Sequence, residues 1–196
     1  MRCDASGNVV ELVISDKGMR GELPAGLAAA LPELREVALD GNRLSGGILE
    51  MARDLLLLES FSASHNNLTG RVPCPRRGVG IPGQLACVPI GASALHTLSL
   101  SFNRLDGTIP GRCIAACNPH LAALQLESNR LTGQVPGHLS QLSKLVLFDV
   151  SQNDLTGTLP GELANLVKLT TLDLSLNRLS GMGLHASTSQ LNLSRV

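Results

Sequence analysis

LSLSFNRLDG, residues 98–107, is the clearest copy of a ten-residue phrase that returns along this chain. A second close copy, LDLSLNRLSG, occupies residues 172–181. The shared pattern L-x-L-x-x-N-x-L-x-G recurs in seven units about 24 residues apart, and such a period indicates a repeat protein. The column asparagines are Asn42, Asn66, Asn103, Asn129, Asn153 and Asn177, with Lys17 at the same place in the first unit.

Each position of the phrase has a structural reason. The alternation L-x-L predicts a short strand with inward leucines, and strands of successive units would pair in parallel about 4.8 Å apart. The column asparagine can turn inward and bond backbone groups that the following turn leaves unpaired. The rest of each unit, such as residues 137–142, predicts a short helical or 3₁₀ turn on the convex side. We therefore predict an α/β solenoid, a right-handed superhelix of about seven leucine-rich repeats with one parallel concave sheet.

The same count predicts how the chain is organised. Residues 1–196 are expected to form a single domain, with residues 74–90 as an inserted loop in the third repeat. Counting onward from the seventh unit places Leu193 and Val196 in the strand of a truncated eighth. Because no polar capping unit follows, we expect a fragment of a longer protein. The alternative is a degenerate terminal turn over residues 181–196.

One extended copy of the phrase is more specific. NRLTGQVP, residues 129–136, resembles the plant-type leucine-rich repeat of receptor-like kinases, receptor-like proteins and polygalacturonase-inhibiting proteins. The resemblance covers nearly the whole chain, from Val9 to Val196, and residues 2–4 are similar to the end of that family's N-terminal cap. It implies a module that recognises a protein or peptide, located outside the cell or at its surface within a longer protein.

The composition narrows the possible functions. Sixteen basic residues balance sixteen acidic ones and only three aromatic residues are present, so no basic, aromatic-rich surface favours nucleic acid. No apolar run is long enough for a transmembrane segment. Catalytic motifs are lacking, and carboxyl groups on an open sheet should lack the burial that shifts a pKa toward catalysis. We predict a protein that is not an enzyme and uses no cofactor and no metal.

The outward positions of the strands are the candidate binding surface. They hold half of the acidic residues against one base, Arg35, which predicts an acidic concave face and a protein or peptide ligand of basic character. Phe102 is a candidate anchor for this ligand, the alternative being that its ring packs along the strand edge. The candidate ligand-binding residues are Ser62, His65, His96, Ser99, Phe102, Gln125, Glu127, Asp149, Gln152 and Asp173. Arginines recur instead just after the column asparagine, which predicts a second, basic face: Arg43, Arg104, Arg130 and Arg178.

Cysteines and glycosylation triplets bear on the cellular compartment. Cys74 and Cys87 bracket the inserted loop, and a disulfide bond closing it would contribute about 3 kcal/mol. Cys113 and Cys117 could pair with each other or with the first two across adjacent repeats; the alternatives are a zinc site and free thiols. Acceptor triplets for N-glycosylation begin at Asn67 and Asn192, and Asn67 takes the water-facing place that arginine takes in four other units.

Three hypotheses follow for the function. The first is the ligand-binding part of a cell-surface receptor-like protein or kinase. The second is a secreted or wall-associated enzyme inhibitor that resembles polygalacturonase-inhibiting proteins. The third is an intracellular scaffold, which would place the chain in the cytoplasm and leave its cysteines reduced.

Overall fold

A computed structural model describes residues 1–24, 26–48, 55, 57–73 and 94–182. The predicted loop at residues 74–90, Cys74, Cys87, Asn192 and the truncated eighth repeat lie outside the described residues. Within them the chain is a leucine-rich repeat solenoid, and the predicted long parallel sheet is confirmed.

The first sheet is built from the L-x-L phrases. Its strands, within the described residues, are β1 (Arg2–Cys3), β2 (Val9–Val13), β4 (Glu36–Ala38), β6 (Ser60–Ser62), β8 (Thr97–Ser99), β10 (Ala123–Gln125), β12 (Leu147–Asp149) and β14 (Thr171–Asp173). They pair in that order, and only β1 runs antiparallel to its neighbour. Equivalent residues of successive repeats lie opposite each other. Leu98 lies opposite Leu124, and Leu124 lies opposite Phe148. The middle residue of each three-residue strand is buried, which follows from the alternation of side chains along a strand.

A second parallel sheet, which the sequence analysis did not predict, follows the column position of each repeat. Its seven described strands are β3 (Arg20–Glu22), β5 (Arg43–Gly47), β7 (Asn67–Arg71), β9 (Arg104–Thr108), β11 (Arg130–Gly133), β13 (Asp154–Leu159) and β15 (Arg178–Met182). The reason is the same alternation: in Arg104-Leu105-Asp106 only the leucine is buried.

The strands of the second sheet are offset from one repeat to the next. Asp106 lies opposite Arg130, although its equivalent by repeat position is Thr132. The same displacement of two residues places Thr132 opposite Asp154 and Thr156 opposite Arg178. The first sheet has no such offset, so only there does a column of the repeat form a row in space.

Short helices complete the repeats on the side away from the first sheet. They are α1 (Leu27–Ala30), α2 (Gly111–Cys117) and the 3₁₀ turns η1 (Gly137–Gln141) and η2 (Gly161–Asn165). A proline precedes α2, η1 and η2, and each turn of η1 and η2 buries one leucine, Leu139 or Leu163. The last three pack on one another in order, α2 on η1 and η1 on η2.

A single hydrophobic cluster runs between the two sheets and the helices. It is filled mainly by the leucines of the repeat, and Phe61 and Phe148 are its largest fully buried side chains. Complete burial of such a side chain stabilises the fold by about 1.5–3 kcal/mol. Each repeat covers the leucines of its neighbour, so the core is continuous along the stack.

Candidate functional site

Column asparagines hold each repeat to the one before it. Asn129 Oδ1 accepts a hydrogen bond from the Leu105 N–H at 2.9 Å, and Nδ2 donates to the carbonyls of Leu100, Leu126 and Glu127 at 3.0–3.2 Å. The other five column asparagines bond equivalent backbone groups of their own and the preceding repeat. We call these six residues the asparagine ladder. It satisfies turn amides and carbonyls that burial would otherwise leave unpaired.

The residue just before each ladder asparagine, and before Lys17 at the same place in the first repeat, has a left-handed backbone. These positions, which we call the rim column, are Asp16, Gly41, His65, Phe102, Ser128, Gln152 and Leu176. Their φ angles are 51–57° for the six non-glycine residues and 66° for Gly41. This conformation costs about 1–2 kcal/mol in a non-glycine residue and turns the side chain out of the strand. The rim column therefore combines strained backbone with variable chemistry.

Two rows of outward side chains lie beside the rim column on the first sheet. Strand pairing aligns the first row across neighbouring repeats: Val13, Ala38, Ser62, Ser99, Gln125, Asp149 and Asp173. The second row lies two residues further along each repeat: Ser15, Asp40, Ser64, Ser101, Glu127, Ser151 and Ser175. Together with the rim column these rows make the solvent-facing surface that we call the first-sheet face.

A cavity of about 290 Å³ opens in the middle of the first-sheet face. Its lining residues are Asp40, Ser62, Ser64, His65, Ser99, Ser101, Phe102, Gln125 and Glu127. The cavity thus brings together six of the ten residues predicted to bind ligand. His96, Asp149, Gln152 and Asp173 do not line it. Sequence reasoning left Asp40, Ser64 and Ser101 out of the candidate set, although all three belong to the second row and so could have been found by aligning the repeats.

Two rim residues form an aromatic wall of the cavity. The rings of His65 and Phe102 are stacked, with centroids 4.1 Å apart and planes 10° from parallel. Both residues are exposed, and 37% of Phe102 is accessible to solvent. The Phe102 ring therefore packs against a neighbouring rim residue and also remains open to a ligand.

The floor of the cavity is a network of hydroxyl groups and one carboxylate. Asp40 Oδ1 accepts hydrogen bonds from the Ser62 hydroxyl and from the Ser64 N–H, the latter at 2.7 Å. The Ser64 and Ser99 hydroxyls are 2.9 Å apart and share a hydrogen bond. Ser101 differs, because its residue is only 5% exposed and its Oγ has no hydrogen-bond partner among the described residues. A buried hydroxyl without a partner is unfavourable unless a ligand or water satisfies it.

Three acidic residues, Glu127, Asp149 and Asp173, extend from the cavity toward β14, and we call them the acidic row. Burial raises the pKa of Glu127 to about 7, helped by a hydrogen bond to Asp149 and by the negative charges of Asp149 and Asp173. The expectation that carboxyl groups on this open sheet keep unshifted pKa values is therefore wrong at Glu127. Both aspartates are held in place, since Asp149 Oδ1 accepts from the Ser151 N–H and hydroxyl and Asp173 Oδ1 bonds Ser175 in the same way.

The remaining predicted residues lie at the margins. His96 directly precedes β8, and its ring centroid is 6.3 Å from that of His120 in the next repeat. Gln152 is an exposed rim residue that accepts a hydrogen bond from the Ser128 hydroxyl at 2.8 Å. Among the described residues, no three His, Cys, Asp or Glu side chains converge on one point in a way that could hold a metal ion.

The predicted basic face is not a continuous basic surface. Because of the two-residue offset of the second sheet, Asp106 lies opposite Arg130. Asp154, which takes the place of the arginine in the sixth repeat, forms a 2.8 Å ion pair with Arg178 of the seventh. The arginines share a column of the sequence but have acidic neighbours in space. The second sheet therefore carries mixed charge, whereas the acidic row of the first sheet stays contiguous.

Three sequence signals for the compartment fall within described residues. Cys113 and Cys117 are buried on α2. Cys3 is exposed and is a free thiol. Asn67 begins β7 and is partly exposed. No helix within the described ranges combines the length and the apolar character needed to cross a lipid bilayer.

Comparison with known families agrees with the repeat pattern. Residues 119–179 match a family model described as leucine rich repeat, and residues 94–114 match a second model with the same description. No curated protein sequence shows significant similarity to the chain.

Three solved structures resemble the chain over most of its length. A TDR receptor is 27% identical, with a TM-score of 0.77, and the match covers 94% of this chain and 31% of the receptor. The Arabidopsis receptor kinase HAESA, solved with the peptide hormone IDA and the co-receptor SERK1, is 30% identical over 87% of this chain and 26% of its own, with a TM-score of 0.72. A plant ice-binding protein is 27% identical over 99% of this chain and 66% of its own, with a TM-score of 0.76.

The chain spans less than a third of either receptor. Its fold is that of ectodomains that are typically non-catalytic. With the seven-unit repeat, the two parallel sheets and the asparagine ladder, these likenesses lead to one conclusion. The chain is a plant-type leucine-rich repeat protein that resembles the ectodomains of plant receptor kinases and a plant ice-binding protein.

Proposed function

We propose that the chain is a non-catalytic recognition module that binds a basic peptide or protein segment on its first-sheet face, as part of a cell-surface receptor-like protein or kinase. The observation that carries the proposal is the cavity with its aromatic wall, placed next to the acidic row of Glu127, Asp149 and Asp173. The likeness to HAESA, solved with a peptide hormone, supports the choice of a peptide.

The layout of the site suits an extended segment. The cavity lies across the second to fifth repeats, and the acidic row leads away from it over the next two. One residue of the ligand would enter the cavity and contact the aromatic wall, while basic residues would lie over the aspartates. Exposed charges of this kind contribute mainly to the rate of encounter and to selectivity, and salt screens them.

The test uses synthetic twelve-residue peptides that are lysine-rich, neutral or glutamate-rich, with binding measured by calorimetry at low and high salt. We expect the lysine-rich peptides to bind best, and we expect Asp149→Lys with Asp173→Lys to weaken them about tenfold or more and flatten the salt dependence. The control pair, Asp106→Lys with Glu162→Lys, makes the same change in net charge elsewhere and should have little effect. Equal affinity of the wild type and the Asp149/Asp173 variant would overturn the acidic site.

A secreted enzyme inhibitor remains the alternative for the same face. An inhibitor would contact a folded enzyme over a wide area, so residues outside the cavity such as His96 and Gln152 would matter as much as Phe102. An alanine scan of the ten predicted ligand-binding residues distinguishes the two functions. Losses confined to the cavity and the acidic row support the peptide, and losses spread over the whole face support the inhibitor.

The compartment is proposed to be extracellular, with Cys113 and Cys117 in disulfide bonds and a glycan on Asn67. The test is the mass of the natively expressed protein before and after reduction and deglycosylation. Disulfide bonds and a glycan lost on deglycosylation support the surface location. Reduced cysteines and an unmodified chain would favour the intracellular scaffold.

A second candidate function is ice binding, favoured by the likeness to a plant ice-binding protein and by the second sheet. Its solvent side carries exposed threonines on neighbouring strands, and Thr108 lies opposite Thr132. Rigid hydroxyl and methyl groups spaced by the strand separation offer a regular surface to ordered water. Inhibition of ice recrystallisation by the wild type, abolished by Thr132→Lys, would support this function. A wild type without that inhibition would exclude it.

A further inference from the structure

The cavity on the first-sheet face has the size of one side chain rather than of a whole ligand. Its volume of about 290 Å³ lies at the lower end of the range for small-molecule sites. Four serines, two carboxyl groups, one amide and two rings surround it. The cavity thus has the dimensions of an anchor site for one chemical group.

Hydrogen-bond capacity decides which group fits. Asp40 uses Oδ1 for both of its bonds, so Oδ2 keeps its acceptor sites, and Ser101 Oγ is buried without a partner among the described residues. Glu127 adds a second carboxyl group to the lining of the cavity. No lysine or arginine is among the lining residues that the structure describes. An ammonium group has three donors and no acceptor, so it complements such a site, whereas an anion would meet two carboxyl groups.

The aromatic wall suits the same group. Phe102 lines the cavity and stacks on His65, and 37% of the residue is accessible to solvent. A cation near an aromatic ring is attracted by the ring's negative face, and the alkyl chain that carries it packs on the same ring.

We propose that this cavity binds one alkylammonium group of the ligand, beside the Phe102 ring, with Asp40, Glu127 and Ser101 as its hydrogen-bond acceptors. The inference rests on the proposed function and deepens it by naming the anchor. The ammonium is carried either by a lysine side chain or by a free amino terminus of the peptide.

Binding is coupled to the charge of Glu127. Burial, with the charges of Asp149 on β12 and Asp173 on β14, raises its pKa to about 7, and a bound cation favours the deprotonated form. Affinity therefore rises as the pH increases through 7. Asp40 and His65 also line the cavity, and His65→Gln separates the histidine's contribution from that of Glu127.

The test uses n-butylammonium chloride as the probe, with n-butanol and sodium butyrate as its neutral and anionic counterparts, titrated into the ¹⁵N-labelled full chain. We expect only butylammonium to shift the amide signals of residues 99–102. Glu127→Gln should weaken its binding at pH 8 about fivefold or more and remove the rise with pH, and Phe102→Leu should weaken it less. Glu162→Gln, which removes an acidic side chain on η2, is the control and should bind as the wild type does.

Nα-acetyl-lysine methylamide and alanine methylamide then distinguish the two sources, because the first carries only the side-chain ammonium and the second only the terminal one. Equal binding of butanol and butylammonium, or unchanged affinity in Glu127→Gln, would overturn the anchor. A lysine-rich peptide that binds normally to Phe102→Leu and Glu127→Gln would overturn it too while leaving the proposed function intact. Butylammonium binding without binding of the lysine-rich peptide would support the anchor and overturn the proposed function.

Discussion

The asparagine ladder and the rim column occupy adjacent positions in every repeat and are used in opposite ways. The ladder has the same residue six times, and each copy makes equivalent hydrogen bonds to backbone groups. The rim column has the same backbone conformation seven times but six different side chains besides glycine. Because the asparagine fixes the geometry of the turn, the side chain of the rim residue before it can vary. Side chains suited to ligand recognition therefore lie where another residue already sets the backbone conformation.

The largest loss of stability is expected when one ladder asparagine is replaced. Asn129→Ala removes the acceptor of the buried Leu105 N–H, while the carbonyls of Leu100 and Leu126 keep their bonds from Asn103 and Asn153. We expect it to lower the free energy of unfolding by about 2–3 kcal/mol, since an unsatisfied buried N–H costs about 1–3 kcal/mol and the bonds to the carbonyls are lost as well. Urea unfolding measures the change. Ser128→Ala, one residue earlier in the rim column, is the control and should change stability by less than about 0.5 kcal/mol. Similar losses of unfolding free energy in the two variants would show that the ladder and the rim column do not differ in their contribution to stability.

A smaller effect is expected from the only glycine of the rim column. Gly41 has a φ of 66°, and a Cβ there would lie 1.9 Å from Asp16 Oδ1. Gly41→Ala should therefore lower stability by about 1–2 kcal/mol. The reverse change, Ser128→Gly, should stabilise by up to about 0.5 kcal/mol, because relief of the left-handed backbone is partly offset by the greater entropy of the unfolded chain. Changes of the same sign would show that the rim backbone is unstrained in this protein.

The smallest expected effect concerns Glu127, and it tests whether a residue at a variable position of the first-sheet face lowers stability. The pKa of Glu127 is about 7 in the folded protein against 4.5 in the unfolded chain, so the folded state binds the proton more tightly. Stability should therefore fall as the pH rises from about 4.5 to about 7 and level off above it. Glu127→Gln should lack this fall and be more stable than the wild type at pH 8 by up to about 1 kcal/mol, allowing for solvent screening.

Thermal unfolding from pH 4 to 9 measures the prediction for Glu127. Glu162→Gln serves as the control for loss of a carboxylate, and its pH profile should follow the wild type. Parallel profiles for the wild type and Glu127→Gln would mean that Glu127 titrates normally.

Sequence reasoning predicted the elements that depend on repetition. The strands of the first sheet, their parallel order and the helical turn after residue 136 follow from positions that recur at fixed spacing. The second sheet was missed because its signal is short: in Arg104-Leu105-Asp106 a single buried residue alternates with two exposed ones. Glycine at position 41 was the one sign in sequence of a left-handed rim column, and it is outnumbered there by six residues that rarely take this conformation.

The site was predictable as a surface but not as a cavity. Column counting placed Ser62, Ser99 and Gln125 in one row, and the structure keeps them in register. The stacking of His65 on Phe102 and the unpartnered Ser101 hydroxyl depend on the third and fourth repeats lying side by side, although 37 residues separate their asparagines. Nor does a sequence show which carboxyl group is buried, so the raised pKa of Glu127 required coordinates.

The two-residue offset of the second sheet has a consequence for how such a chain grows. Within one repeat, Arg104 and Asp106 stand two residues apart, and the offset places Asp106 opposite the arginine of the next repeat, Arg130. In a repeat that has an arginine and, two residues later, an aspartate, the aspartate would therefore lie opposite the arginine of an identical repeat stacked on it. Tandem duplication of the gene segment that encodes such a repeat would lengthen the array with opposite charges already facing each other at every new junction.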